Sequence, residues 1–105
     1  MSGIFIPIFK KGVDKLTVVT IGENSIEITG HSPKQIVCHG VSAIGNMVAN
    51  YVIDNQWGRV IARDGYLRIY DIKEQYMENP LFVAMVNGLK DIQAEYPNNI
   101  EIKYQ

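Results

Sequence analysis

The sequence predicts an α+β protein in which two helices pack on a mainly antiparallel β-sheet, a two-layer sandwich. Three observations lead there. Short stretches near both ends of the chain alternate apolar and polar residues, as half-buried strands do. Two longer stretches repeat apolar residues every three or four positions, as amphipathic helices do. Between those helices, Asp64-Gly65 separates two further β-like runs. With 105 residues and 47% hydrophobic content, the chain suits one compact unit over 1–105.

The first β signal covers 4–9, Ile-Phe-Ile-Pro-Ile-Phe, where Pro7 has no N–H for a ladder and so predicts an edge or irregular strand. Residues 16–21 (Leu-Thr-Val-Val-Thr-Ile) and 25–29, with Ile26 and Ile28 alternating against polar neighbours, follow as strands joined at Gly22-Glu23-Asn24. From 36 to 54, Val37, Val41, Ile44, Val48, Tyr51 and Val52 mark one helical face, and Ile36, Gly40, Ala43 and Met47 widen it. Gly40 and Gly45 each cost a helix about 1 kcal/mol relative to alanine, which predicts close approach of a neighbouring element.

Runs 59–63 and 66–72 flank Asp64-Gly65, a pair suited to the positive φ angles of a type I′ hairpin turn. Asn79-Pro80 then supplies an N-cap and first helical residue, followed by Phe82, Met85, Val86, Leu89, Ile92 and Tyr96 on one stripe; Pro97 stops that helix. Residues 100–104 alternate as a last strand. Trp57, between the first helix and the hairpin, suits a lid on the core, the alternative being the wall of a substrate cleft. The tyrosines at 66, 70, 76, 96 and 104 suit packing rather than acid catalysis.

Composition narrows the function. Ten basic against eleven acidic residues, without a basic cluster, argue against direct nucleic-acid binding through phosphate neutralisation. The apolar 4–9 segment is too short for a signal sequence and has Lys10-Lys11 after it, and no run approaches a membrane span. A single cysteine forms no internal disulfide, so the expected setting is the reducing cytoplasm.

That cysteine, Cys38, stands at the start of the first helical run, seven positions after His31. A thiol in the first turn of a helix meets unpaired backbone N–H groups, and a nearby imidazole can take its proton; both favour the thiolate needed for nucleophilic attack. Lone cysteines are also often small buried hydrophobes. Two helix starts fit the residues. If Gln35 or Ile36 opens the helix, Cys38 lies in its first turn. If Ser32-Pro33-Lys34-Gln35 acts as a capping box with proline at N1, Cys38 is more than a turn inside, with His31 about 9 Å away along the axis. His39 points about 100° away from Cys38 around a helix. His31, Cys38 and His39 lack a fourth ligand and any usual zinc spacing. Ser42, one turn after Cys38, shares its face and could hydrogen-bond at the site or back to the helix.

The chain from about Leu16 onward resembles the Prp family, bacterial cysteine proteases that trim an N-terminal extension from a large-subunit ribosomal protein. Gly30-His31 ahead of the helix, Ile36-Val37-Cys38 followed by Gly40-Val41-Ser42-Ala43, and the closing run from Leu89 to Tyr104 carry the likeness. The resemblance implies Cys38 as nucleophile, His31 as general base and acid, Ser42 beside the site, a homodimer and no cofactor. Its implied partner is a peptide segment of a ribosomal protein, or of a phage structural protein. Two features depart from the family. His31 and Cys38 flank a shortened loop, and Gln35 stands where the family has an acid, so it brings no negative charge to an imidazolium. Asp54 and Asp64 are the acids left open as replacements. Beside the family, residues 1–15 are expected to be an added N-terminal strand, as would suit a divergent member carried by a phage or another mobile element. The alternative function is a catalytically inactive Prp-like binding or assembly module.

Overall fold

Alternating residues and a tight turn build the first hairpin of the computed structural model, which describes residues 16–105. The strand expected over 4–9 lies outside them. β1 (Thr17–Ile21) pairs antiparallel with β2 (Ile26–Thr29), and the Gly22 N–H donates to the Ser25 carbonyl at 2.8 Å across the turn. Then follow α1 (Gln35–Asn55), β3 (Arg59–Arg63), β4 (Tyr66–Tyr70), a short 3₁₀ turn at Glu74–Tyr76, α2 (Pro80–Glu95) and β5 (Ile100–Tyr104). The sheet order is β3-β4-β2-β1-β5; β5 runs parallel to β1 and the other three pairings are antiparallel. The architecture is the expected α+β one, with two helices on a mixed sheet.

Strand register explains the core. Ala62, Leu67, Ile28, Val19 and Ile102 fall opposite one another across all five strands, and Val60, Ile69, Ile26 and Ile21 form the next row. Residues directly opposite in a ladder share a face, so these rows present one apolar surface to the helices. From α1, Val37, Cys38, Val41, Val48, Ala49 and Val52 complete the core; from α2, Phe82, Met85 and Leu89 do so. Of the wider stripe expected on α1, only Gly40 is partly buried; Ile36, Ala43 and Met47 are exposed. Ile36 and Met47 are 63% and 56% exposed, because sheet and α2 cover one side of α1 and its outer edge faces solvent. Tyr51 lies at that margin, its ring edge-on to Trp57.

α1 is 21 residues long and apolar enough to cross a membrane by length and composition, although no uninterrupted apolar run in the sequence signals this. Half of its most apolar window is buried in the core, and that burial accounts for its composition. Both glycines flagged in α1 sit at close approaches. A Cβ on Gly45 would lie 2.7 Å from Leu67 Cδ2, and one on Gly40 would lie 3.0 Å from Ile92 Cδ1. α2 starts as its caps predict, with Asn79 Oδ1 accepting from the Leu81 N–H at 2.9 Å and Pro80 at the first helical position. Trp57 stacks on Tyr76 with ring centroids 4.3 Å apart and packs against the core, as a lid.

The Asp64-Gly65 turn differs from the type I′ form. Only Gly65 takes a positive φ (+70°), and Asp64 does not. This turn is no free hairpin tip: the Gly65 carbonyl accepts from the Gly30 N–H at 3.0 Å, so a contact from a distant segment holds it.

Candidate active site

β2 hands the chain to α1 through residues 30–34, and this crossover carries His31. Gly30 has φ +87°, and a Cβ there would lie 2.5 Å from the Leu16 carbonyl oxygen, so only glycine reverses the chain here without strain. Ser32 is fully buried and its Oγ accepts from the Lys34 N–H at 3.1 Å, a local turn that leaves Lys34 extended (φ −90°, ψ 112°) as the N-cap. The helix therefore begins at Gln35. Of the two starts compatible with the sequence, the later one is realised, because Lys34 is extended and so cannot belong to a helix that Ser32 would cap.

Cys38 sits at the end of the first turn. Its own N–H already donates to the Lys34 carbonyl at 3.3 Å, as does that of Val37 at 3.1 Å. The N–H groups of Gln35 and Ile36 precede the helical ladder and are the ones placed to meet an anion. The sulfur is fully buried and donates to the Ser32 carbonyl at 3.3 Å. Burial pushes the Cys38 thiol pKa up, and this outweighs the opposing effect of the backbone hydrogen bond at Ser32.

A thiol held protonated in the fold and released in the unfolded chain links stability to pH. The stability is undiminished below the ordinary thiol pKa of about 8.5 and falls as pH climbs above it, where the unfolded chain sheds its proton first. Urea unfolding at pH 7 and pH 9.5 is expected to show a larger loss for the wild type than for Cys38→Ser, whose hydroxyl does not titrate. Equal losses would mean that the thiol is not desolvated.

His31 leaves the crossover towards the β3–β4 turn. Its imidazole is 14% exposed, Nε2 lies 3.6 Å from Asp64 Oδ1, and Nδ1 is buried. The ring occupies the space beside Gly65, where a Cβ would lie 2.8 Å from Nε2. Cys38 and His31 thus both meet the 30–34 crossover, while the thiol's hydrogen bond goes to Ser32 rather than to the imidazole. Ser42 is buried one turn below Cys38, and its carbonyl accepts from Asn46 Nδ2 at 2.7 Å. Gln35 is exposed at the first helical position. His39 is exposed, on the side of α1 away from the core.

The sequence left Asp64 open beside Asp54 as a replacement acid and could not choose between them, since 33 positions separate Asp64 from His31; of the two, Asp64 is the one that stands beside the imidazole. Among the described residues no three of His, Cys, Asp and Glu cluster to hold a metal ion. Tyr66 is tied to the sheet through a hydrogen bond from its hydroxyl to Glu27 Oε2 at 3.0 Å. An apolar cavity of about 280 Å³, lined by residues including Ile21, Ile26, Phe82 and Val86, opens at the opposite end of β1 and β2 from Cys38.

A family model described as cysteine protease Prp matches residues 17–101. Among solved structures, the essential ribosomal processing protease Prp of Staphylococcus aureus with a covalently linked product peptide is 25% identical. It covers 86% of this chain and 100% of its own, at a TM-score of 0.74. The same protease in complex with a substrate peptide aligns at 22% identity, with the same coverage and a TM-score of 0.71. The SMU.848 protein of Streptococcus mutans aligns at 22% identity over 86% of this chain and 96% of its own, with a TM-score of 0.67. Comparison with curated proteins yields no match.

Proposed function

The chain belongs to the cysteine protease Prp family, and on that premise we propose that it is a cysteine endopeptidase that removes a short N-terminal extension from a ribosomal protein. The observation that carries this reading is the position of Cys38, at the end of the first turn of α1 and against the crossover that bears His31. In the proposed reaction the Cys38 proton passes to His31 and the sulfur attacks the scissile carbonyl. The C–N bond breaks as His31 returns the proton to the leaving amine, and water then hydrolyses the thioester. The N–H groups of Gln35 and Ile36 suit the developing oxyanion.

The sulfur is covered in this conformation, so substrate has to displace the Ser32 carbonyl before attack. Ser42 would support the helix face behind the sulfur, and Gln35 would leave the role of the acid to another residue. The enzyme would act in the cytoplasm as a homodimer; a phage structural protein is the other substrate consistent with the divergence of the chain.

A second reading is favoured by the buried, protonated thiol and by Gln35: an inactive Prp-like module that binds the same peptide without cutting it. The test is to incubate the protein with synthetic peptides spanning the N-terminal extension of a large-subunit ribosomal protein, then to measure cleavage and the intact protein mass. A thioester adduct on Cys38 and two peptide products are expected. Stoichiometric binding with the peptide left whole would establish the module instead.

A further inference from the structure

The absent acid at position 35 leaves an imidazole without its expected orienting charge, and the fold brings another carboxylate to that imidazole. We propose that Asp64 is the positioning residue for His31. This inference rests on the protease reading of Cys38 and His31 given above.

Three contacts converge on it. Asp64 Oδ1 lies 3.6 Å from Nε2 of His31. The neighbouring residue is glycine, and any side chain there would occupy the place of the ring. The Gly30 N–H donates to the Gly65 carbonyl at 3.0 Å, so the backbone immediately before His31 is clamped to the turn that holds the carboxylate.

The chemistry follows from which nitrogen faces which group. A carboxylate beside Nε2 favours the tautomer with the proton on Nε2, which leaves the lone pair on Nδ1, the buried nitrogen, to accept a proton. When the Cys38 proton moves to Nδ1, the imidazolium keeps its Nε2–H towards Asp64. Asp64 stays ionised throughout and takes no proton. The 3.6 Å separation exceeds a hydrogen bond, and catalytic contacts of this kind commonly shorten when substrate binds. Asp64 is largely exposed, so its effect is on tautomer and ring orientation rather than on fold stability. The Asp-Gly turn thus combines a conformational need with an acid, which spacing along α1 could not reveal.

The experiment compares the wild type with Asp64→Asn, Asp64→Glu and, as a control acid away from the β3–β4 turn on α1, Asp54→Asn. Two-bond ¹⁵N–¹H correlation of the His31 ring reports the tautomer without any need for activity, and peptide cleavage is measured in parallel. A dominant Nε2–H tautomer is expected in the wild type and in Asp54→Asn, mixed tautomers in Asp64→Asn, and recovery in Asp64→Glu. Cleavage by Asp64→Asn is expected to fall about tenfold at unchanged KM. An unaltered tautomer and unaltered cleavage in Asp64→Asn would overturn the role of Asp64 while leaving the protease reading in place. A tautomer change in a protein that never cleaves peptide would leave the pairing standing and remove the protease reading.

Discussion

His31→Ala is expected to lower the kcat for peptide cleavage by about 10²- to 10⁴-fold, the range that a positioned general acid–base supplies, with KM little changed. The size follows from the state of the nucleophile. An ordinary thiol is only a few per cent ionised at pH 7, and burial pushes Cys38 further towards the protonated form. No stabilising charge stands at position 35 to reverse this, so proton removal has to be done at the moment of attack by a base that reaches the sulfur. The imidazole is also needed again to protonate the leaving amine, and its loss therefore slows bond formation and bond breaking alike. Single-turnover cleavage at pH 7, read by mass spectrometry against thermal unfolding of the same sample, separates a chemical defect from a folding one. A folded His31→Ala protein that cleaves within about threefold of the wild type would show that this histidine is not the base.

The second large effect concerns the contact between α1 and β4. Leu67 is fully buried in the central row of the sheet and fills the place where Gly45 has no side chain. Leu67→Ala is expected to destabilise the fold by about 2–5 kcal/mol through lost transfer energy and the cavity left behind. Gly45→Ala adds a methyl group 2.7 Å from Leu67 Cδ2; overpacking of about 1–3 kcal/mol opposes a helix-propensity gain of about 1 kcal/mol.

The two substitutions should couple. With Leu67 shortened, the Gly45 methyl enters the vacated volume, and Gly45→Ala becomes stabilising by about 1 kcal/mol in that background. Urea unfolding of the four proteins gives the cycle directly. Additive single effects would mean that the leucine and the glycine do not share the space the geometry assigns them.

Both predictions show how unevenly the sequence exposes its information. The caps of α2 were legible because Asn79 and Pro80 act on backbone within two residues of themselves. Gly45 was legible as an anomaly, since a helix interior tolerates glycine only where something gains from the missing Cβ, but Leu67 as its neighbour was not. The extent of the α1 stripe was overestimated. Ile36, Ala43 and Met47 keep helical spacing, and spacing alone does not say how wide a face the neighbours cover.

At the candidate site, Cys38 and His31 were visible as residue types with suitable chemistry, and the resemblance to the family gave them roles. The sequence left the start of α1 open between two registers. The choice lay in the backbone of Lys34, which is extended and so excludes a helix beginning at Ser32 even though the Ser32 hydroxyl accepts from its N–H.

By itself, then, the sequence determined the number and order of the described strands and helices, the termini of α2, the two close-approach glycines of α1 and the family. Each of these depends on periodicity, on backbone chemistry within about one turn, or on a motif contiguous in the chain. Only the tertiary structure decided that the thiol is buried against the Ser32 carbonyl, that the β3–β4 turn departs from type I′, and that Asp64 stands beside His31. Those depend on desolvation and on contacts between distant residues, which strand register and helix docking create and no local spacing encodes.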